Sequence, residues 1–424
     1  MKIDILNKAK SAVREDFSIE RISLKDQSDW TITQGALKHR SGGFFYVVGM
    51  RRGTPAIERL MLYQPQSAFN GLVSRCSSGS HRQFLVQARA EPGNVGAVQY
   101  GPTVQSTPAN YMRLHGGAAT SHIDMFLGFD DDIRVIDETT QLDLGERYFA
   151  KTKRVVLAED LSDRPAQLPF VWVSSDAVAA AAGESYLLNT DLRSAFALST
   201  WSATTDTAEL TPSDEAVRRS LAAPPRADVF SQVFTRIEKA PQAPAEFVPL
   251  ADLANWEIRD DGLTEKHPEQ GISVGFFDVT ANLREKSSWQ QPLIECANSG
   301  EVVLACRVVQ GSVEVFVQVG HEYGILGHGP LLPSWLRYPG EAKTPPGWVQ
   351  RAGVLLETNE SDEGGRFYKN ASSYSLVEVE SHADLDEETG VWVTVSELKR
   401  LLAVSSLCAI QLRVIASHLL ALRC

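Results

Sequence analysis

The feature that most constrains the fold of this chain is an internal repeat. Short stretches near the amino terminus recur in the same order about 220–230 residues later in the sequence. The matches include DWTI (29–32) with NWEI (255–258) and VWV (171–173) with VWV (391–393). One short match would mean nothing, but several in one order at nearly constant spacing indicate a duplicated domain.

The repeat predicts two domains joined by a structured connector. The first repeat spans residues 1–205, a helical connector spans 206–245, and the second repeat spans 246–424. The connector is rich in proline and alanine, and it carries helical patterns at 214–221 and 229–239.

Each repeat is rich in strand patterns and ends in helices. Mixed strands followed by helices predict an α+β fold, with mixed β-sheets flanked by helices. In the first repeat the strands are predicted at 44–50, 83–88, 95–100, 154–157 and 170–173, and the helices at 174–182 and 186–198.

Composition excludes several functional classes. A net charge of −12 argues against a nonspecific nucleic-acid binder, which needs a basic face. The five cysteines are scattered without C-x-x-C spacing, so we expect reduced thiols and no zinc site. The apolar segment 401–422 is interrupted by Gln411, Arg413 and His418, which predicts core helices rather than a membrane span. Together with a charged amino terminus, these features predict a soluble, cytoplasmic protein.

The segment 90–117 is the strongest candidate for a binding site. It combines turn-forming glycines and prolines with many different functional groups, which a merely solvated loop rarely needs. Side-chain amides and hydroxyls can match the donors and acceptors of sugars and pyrimidines, and an arginine can hold a diphosphate. The groups in question are Glu91, Gln105, Thr107, Asn110, Tyr111, Arg113 and His115.

Several of these residues have simpler interpretations. The basic turn Lys38-His39-Arg40 either contacts phosphate or is solvated. The run at 91–93 could be only a turn, with Glu91 on the surface. The acidic run 130–132 lacks the spacing of a metal loop and is predicted to be a solvated turn.

The second repeat has lost most of this chemistry. EPG (91–93) becomes EYG (322–324), and RLHG (113–116) becomes RYPG (337–340). The turn-forming residues and one arginine are retained, whereas the amides, hydroxyls and histidine are replaced. We therefore expect the active site in the first repeat and a degenerate site in the second.

The chain resembles the NDP-hexose 2,3-dehydratases of deoxysugar biosynthesis. The resemblance is carried by HRSGGFF (39–45), YQP (63–65), the run from LVQ (85–87) to HGG (115–117), and LNTDLRS (188–194), and it extends over essentially the whole chain. It implies two tandem Nudix-like modules from an internal duplication and a homodimer. The metal motif of Nudix hydrolases is absent, as are dinucleotide and P-loop fingerprints, so we expect no metal and no cofactor.

The resemblance also implies a reaction. A hydro-lyase of this family acts on an NDP-4-keto-6-deoxyhexose, most simply dTDP-linked, for antibiotic or polysaccharide biosynthesis. The C4 ketone acidifies the C3 proton, a base removes it, and the C2 hydroxyl leaves to give a 3,4-diketo-2,6-dideoxy sugar nucleotide. We expect neither nucleic acid nor membrane as a partner.

From these residues the sequence predicts roles within the site. His115 acts as base or acid with Tyr111 or Glu91 as its partner, and Lys38, Arg40 and Arg113 hold the diphosphate. The remaining predicted substrate-binding residues are Trp30, His39, Gln64, Gln105, Thr107 and Asn110. The alternatives are a noncatalytic or drifted sugar-nucleotide-binding relative and a Nudix-type hydrolase.

Overall fold

The computed structural model describes residues 2–54, 56–76, 82–114, 116–205, 207, 209–267, 271–380 and 384–423. We call residues 2–205 the first half and residues 246–423 the second half. Several mixed sheets and short helices alternate along the chain, which confirms the predicted α+β class.

The first half opens with a helix and then alternates strands with short turns before two closing helices. Its elements are α1 (Lys2–Glu15), β1 (Phe17–Ile22), β2 (Trp30–Thr33), β3 (Ala36–His39), β4 (Tyr46–Arg52), β5 (Ile57–Tyr63), β6 (Ala68–Cys76), β7 (Arg82–Ala90), β8 (Val98–Gly101), β9 (Val104–Ser106), α2 (Pro108–Tyr111), β10 (Ile133–Leu142), β11 (Tyr148–Phe149), β12 (Thr152–Asp160), β13 (Phe170–Ser174), α3 (Ser175–Ala182) and α4 (Thr190–Leu198).

The connector and the second half repeat this plan. Their elements are α5 (Glu215–Ala222), α6 (Ala227–Glu238), β14 (Ala245–Val248), β15 (Trp256–Arg259), β16 (Gly262–Glu265), β17 (Ile272–Ala281), β18 (Ser288–Cys296), β19 (Gly300–Val309), β20 (Ser312–Val319), β21 (Leu331–Leu332), β22 (Trp335–Arg337), α7 (Gly347–Arg351), β23 (Gly353–Ser361), β24 (Ala371–Glu378), β25 (Gly390–Thr394), α8 (Val395–Ala403) and α9 (Ile410–His418).

The two seven-stranded sheets have the same strand order. In the first half the order is β10-β12-β6-β7-β13, with β8 on β7 and β9 on β6. In the second half it is β23-β24-β19-β20-β25, with β21 on β20 and β22 on β19. The central pairs β12–β6 and β24–β19 are both parallel. The two large sheets therefore share a topology strand by strand.

The smaller sheets are completed by an exchange of strands between the halves. β1 leaves the first half and pairs antiparallel with β17, where Ile19 lies opposite Val279. β14, which begins the second half, pairs antiparallel with β4, where Val248 lies opposite Gly49. Each strand adds to the same position of the opposite sheet, so the halves are interlocked through backbone hydrogen bonds.

Local sequence explains where the helices start. The side chain of Ser174 accepts a hydrogen bond from Ala177 N at the start of α3, and that of Asn189 does so from Leu192 N at α4. Thr394 and Glu397 form a capping box at α8. Such caps satisfy backbone N–H groups that have no partner within the helix.

The closing helices form the centre of the molecule. α4 packs against α9, and both helices are buried along almost their whole length. Arg413 of α9 is fully buried and donates to Ser194 Oγ of α4 at 2.6 Å. The apolar segment 401–422 is thus core, as predicted. Among the described residues, no helix combines the length and apolar composition needed to cross a bilayer.

Two glycines mark the tightest contacts between the halves. The turn after β7 places Gly93 against the second half, where a Cβ atom would lie 1.5 Å from Phe367 O. The matching turn after β20 places Gly324 against the first half, where a Cβ atom would lie 1.8 Å from Tyr148 O. No side chain fits at either position without moving backbone, so both turns require glycine. We call these contacts the first and second junctions.

Candidate active site

A polar cavity opens beside the first junction. Gly93 N donates to Gly364 O at 2.7 Å and Lys369 N donates to Gly93 O at 2.8 Å, which fixes the turn after β7 on the loop between β23 and β24. The cavity has an inner and an outer compartment, which share Asn110, Arg284, Gly365 and Arg366. Its walls therefore come from both halves of the chain.

Two lysines at the beginning of β12, Lys151 and Lys153, line the inner compartment. Lys153 Nζ lies 2.7 Å from Asp191 Oδ1 and 3.2 Å from Asp143 Oδ1. Burial disfavours the ammonium, but the two carboxylates outweigh it and raise the pKa of Lys153 above its usual range. Lys153 is thus a fixed positive charge in a buried ion-pair network.

Lys151 has a different environment. Its ammonium donates to Gln66 O at 2.7 Å, and no carboxylate of the described residues forms an ion pair with it. Burial lowers the pKa of Lys151 to about 8, although Asp143 opposes the shift. A lysine with such a pKa can exchange a proton near neutral pH.

The side of the inner compartment next to the first junction carries a carboxylate among cations. Glu91 Oε1 accepts from Arg89 Nε at 2.9 Å and from Gln105 Nε2 at 3.4 Å. Arg284 Nη1, from the loop after β17, lies 3.7 Å from the same oxygen. Glu91 is buried, and its contacts hold Arg89 and Arg284 at the cavity wall.

A second pair of groups spans the halves. The Tyr148 hydroxyl donates to Glu363 Oε2 at 2.6 Å, and Glu363 Oε1 accepts from Gly365 N at 2.9 Å. Burial raises the pKa of Glu363, while Arg366 and Lys153 oppose the shift. Tyr148 and Glu363 both line the inner compartment.

The outer compartment combines aromatic and cationic walls. Phe44, Trp289 and Lys286 line it, and the guanidinium of Arg366 lies 4.4 Å from the ring centre of Phe45. Gln291 donates to Gly365 O at 2.9 Å and accepts from the Trp289 indole at 3.1 Å. These contacts fix the Gln291 side chain in the cavity wall.

Five of the sequence-predicted residues come together on the wall of the inner compartment. Asn189 Nδ2 donates to Gln105 Oε1 at 2.9 Å, so this amide is oriented from both of its ends. The five residues are Gln64, Glu91, Gln105, Thr107 and Asn110.

Other predicted residues lie away from the cavity walls. Trp30 is buried, and its indole donates to Gln290 O at 2.8 Å, behind Phe44. His39 Nδ1 lies 2.7 Å from Ser41 Oγ, and Lys38 Nζ donates to Gln34 Oε1 at 2.9 Å.

The remaining predicted residues are Arg40, Tyr111, Arg113 and His115. Arg40 and Arg113 are exposed. Tyr111 is half-buried and packs against the apolar cluster that contains Phe69 and Phe126. His115 lies outside the described residues. No described contact therefore assigns a role to any of these four side chains.

Sequence reasoning missed several cavity residues. Lys151 directly precedes β12 and Lys153 is its second residue, and this spacing of two could have drawn attention to them. Arg284, Glu363 and Arg366 lie in loops of the second half, where the comparison of repeats suggested a site without chemistry. Their local sequences carry no signal that they reach the first half.

The second junction carries different side chains from the first. The Tyr338 hydroxyl donates to Glu322 Oε1 at 2.6 Å, and burial raises the pKa of Glu322 to about 7. Ser372 lies opposite Gly300 as Lys153 lies opposite Ala68, so a hydroxyl replaces the lysine. Glu322 and Tyr338 are both buried, and neither lines the cavity at the first junction.

The part of the chain that the structure describes contains no group of three or more His, Cys, Asp or Glu side chains placed to hold a metal ion. The acidic run 130–132 instead meets Arg164, which forms ion pairs with Asp130 at 2.5 Å and Asp132 at 3.5 Å. This run is therefore engaged in surface ion pairs.

Comparison with known proteins gives consistent matches along the chain. A family model described as NDP-hexose 2,3-dehydratase matches residues 4–198 and 227–419. A protein of Streptomyces violaceoruber named dTDP-4-dehydro-6-deoxy-alpha-D-glucopyranose 2,3-dehydratase is 28% identical over 96% of this chain and 94% of its own length. Proteins with the same name from Amycolatopsis orientalis and Saccharopolyspora spinosa are 29% and 27% identical, covering 91% and 95% of this chain and 83% and 88% of their own lengths.

Proposed function

This chain belongs to the NDP-hexose 2,3-dehydratase family, and we propose that its reaction takes place in the cavity at the first junction. The protein is a sugar-nucleotide 2,3-dehydratase, a hydro-lyase. We propose dTDP-4-keto-6-deoxyglucose as its substrate, following the names of its relatives.

The reaction requires two proton transfers and stabilisation of an enolate. The ketone at C4 makes the C3 proton acidic, a base removes it, and negative charge accumulates on O4. The C2 hydroxyl then leaves as water after it receives a proton, and the resulting enol tautomerises to the 3,4-diketo sugar. The site must therefore supply a base, an acid and positive charge.

The observation that carries the proposal is the pair of unlike lysines in the inner compartment. Lys153 is held charged by Asp143 and Asp191 and supplies a fixed positive charge near the developing enolate. Lys151, with a pKa of about 8, is mostly protonated at neutral pH and can still release its proton. We assign Lys151 as the acid that protonates the leaving C2 hydroxyl.

The substrate diphosphate is proposed to lie where the two compartments meet. Arg284 and Arg366 line both compartments, and Lys286 lines the outer one. Within the described residues, Arg366 Nε and Asn70 Oδ1 are buried without a hydrogen-bond partner. Buried polar atoms in a cavity wall usually have a partner, and substrate would supply it.

The outer compartment is proposed to hold the nucleobase. Phe44 and Trp289 offer flat apolar faces, and Gln291 offers a fixed amide. Such a combination stacks on a pyrimidine ring and reads its polar edge.

The sequence-predicted residues outside the cavity wall remain proposals, with roles adjusted to where the structure places them. We propose that His115, which follows the cavity-lining α2, assists protonation of the leaving group and that Tyr111 supports it. Arg40 and Arg113 are proposed to add positive charge outside the cavity. The rings of Trp30 and His39 both contact Phe44, and we propose that they hold its ring in place. Lys38 is the neighbour of His39 in β3.

We also propose the molecular setting that the resemblance implies. The shared strand order and the two family matches support a duplication into Nudix-like modules, with domains at 1–205 and 246–424. We propose a cytoplasmic homodimer that binds neither nucleic acid nor membrane.

One incubation tests the proposal. The protein is mixed with dTDP-4-keto-6-deoxyglucose, and products are followed by mass spectrometry and by absorbance of the maltol-like breakdown product. Loss of one water supports the dehydratase. Release of sugar phosphate and nucleoside monophosphate, or binding without any conversion, contradicts it.

A further inference from the structure

We propose that Tyr148 and Glu363 act together as the base that removes the C3 proton, so that the second half supplies a catalytic group to the cavity. This inference rests on the proposed function, because it names the base for that reaction. It differs from the sequence-based prediction, which placed all the proton-transfer groups in the segment 90–117.

The geometry favours this pair because each member is held by a further contact besides their mutual hydrogen bond. Tyr148 lies on β11, which pairs with β5, and its ring packs edge-on against Phe367 at 5.9 Å. Glu363 is oriented by the hydroxyl of Tyr148 and by Gly365 N. Both side chains line the compartment that holds Lys151. A base and an acid thus share one small cavity, as anti or syn elimination across C2–C3 requires.

The direction of the hydrogen bond defines the proton path. Tyr148 donates to Glu363, so its oxygen has lone pairs available for a proton from substrate. As the C3–H bond breaks, its electrons form the enolate, the C3 proton passes to Tyr148 Oη, and the original hydroxyl proton passes to Glu363 Oε2.

The second step restores the balance. The Lys151 ammonium gives a proton to the C2 hydroxyl, the C2–O bond breaks, and water leaves with that electron pair. The cavity then holds a protonated Glu363 and a neutral Lys151. Transfer of one proton from Glu363 to Lys151 returns both groups to their starting states, so atoms and charge balance over the cycle.

The charges around Glu363 are compatible with this role. Burial raises its pKa, and Glu91 adds to the shift, whereas Arg366 and Lys153 keep the carboxylate accessible. A carboxylate with a raised pKa is a stronger base than an exposed one.

The second junction offers a matched control. Tyr338 and Glu322 form a hydrogen bond of the same length, 2.6 Å, and both are buried. They do not line the cavity. Substitutions there impose a similar structural burden without touching the proposed chemistry.

Hydrogen exchange at C3 separates the base from the acid. Substrate is incubated in D₂O with the wild type, Glu363→Gln or Tyr148→Phe, and loss of the C3 proton signal is followed by NMR beside water elimination. We expect both variants to slow exchange at least about 100-fold, with the Kd for dTDP unchanged within about threefold. Glu322→Gln and Tyr338→Phe should retain exchange within about threefold. Circular dichroism checks that each variant is folded.

The outcomes distinguish the two proposals. Wild-type exchange rates in folded Glu363→Gln and Tyr148→Phe would overturn the Tyr148–Glu363 base while leaving the dehydratase assignment intact. Equal losses in the variants of both junctions would also overturn it, because they would reveal a structural effect. If the wild type itself neither exchanges C3 nor eliminates water, the proposed function fails and the base assignment with it.

Discussion

The first and second junctions have the same backbone architecture and different contents. At each, a glycine of a turn after a central strand docks against a loop of the other half, Gly93 at one and Gly324 at the other. Beside Gly93 the chain places Lys153 in an ion-pair network at a cavity. Beside Gly324 it places Tyr338, whose hydroxyl closes onto Glu322.

The difference shows that docking and chemistry are separable. The turn requires glycine because the neighbouring carbonyl leaves no room for Cβ, whichever side chains follow. Arg89 at the first junction has Gly320 as its counterpart, and Lys153 has Ser372. The same scaffold therefore accepts a charged site or a filled core.

The largest expected effect concerns Lys151, the proposed acid. Lys151→Met removes the proton donor while keeping chain length, and we expect water elimination to fall about 100-fold to 10,000-fold. Exchange at C3 should persist. The matched change at the corresponding position of the second half is Asn370→Ala, which should leave kcat within about threefold in folded protein. Equal losses in both variants would contradict the assignment.

The next effect is the pH dependence of kcat. Lys151 must be protonated to act as an acid, so kcat should fall about tenfold per pH unit above the pKa of about 8. Asp143 and Glu363 raise this pKa, and burial, Lys153 and Arg366 lower it. A rate profile that stays level from pH 7 to pH 10 would rule out Lys151 as the acid.

A smaller effect is expected for His115, whose counterpart in the second half is Pro339. If it assists protonation of the leaving group, His115→Ala should slow elimination about tenfold and leave C3 exchange unchanged. NMR exchange and product formation are measured on the same sample. Loss of C3 exchange would instead make His115 the base, and unchanged elimination would remove it from the mechanism.

Stability should respond alike at the two junctions. Gly93→Ala and Gly324→Ala each force Cβ against a carbonyl oxygen, and we expect each to lower the free energy of unfolding by about 1–3 kcal/mol. Urea denaturation measures the loss. Gly93→Ala should also raise KM, because it displaces the loop that carries the cavity residues Gly365 and Arg366, whereas Gly324→Ala presses on the backbone of Tyr148 and should lower kcat with KM unchanged. A KM effect confined to Gly324→Ala would contradict the comparison.

The smallest effect is expected at Arg113, whose counterpart in the second half is Arg337. Arg113 is exposed, so its charge is screened by solvent. We expect Arg113→Ala to change KM by less than about threefold, with the change vanishing at high salt. An increase of tenfold or more would show that Arg113 grips the diphosphate directly.

The sequence predicted regular elements better than it predicted the site. The alternating pattern at 83–88 and the capped helix at 174–182 identify β7 and α3, because each pattern is local. The sequence identified Glu91, Gln105 and Asn110 as site residues because all three lie in the segment 90–117. It did not identify Glu363 and Arg366, because only tertiary contacts bring their loop to the cavity.

The local sequence also does not show whether an aromatic side chain is buried in the core or faces a ligand. An indole beside a basic turn is equally compatible with stacking on a ligand or packing in a core, and Trp30 packs with Phe45. The exchange of β1 and β14 could likewise not be predicted from the sequence, because nothing in a strand of four to six residues specifies which sheet it joins.

The exchanged strands make the chain resemble two subunits tied together. A single half lacks the strand that completes its smaller sheet and carries one that fits its neighbour, so two free copies would complete each other by domain swapping. The covalent connection turns that encounter into an intramolecular one with a high effective concentration. It also allows the two halves to differ in sequence. In one chain the second half keeps Tyr338 as packing while the first half carries most of the cavity wall, and loss of either half would remove a strand from the smaller sheet of the other.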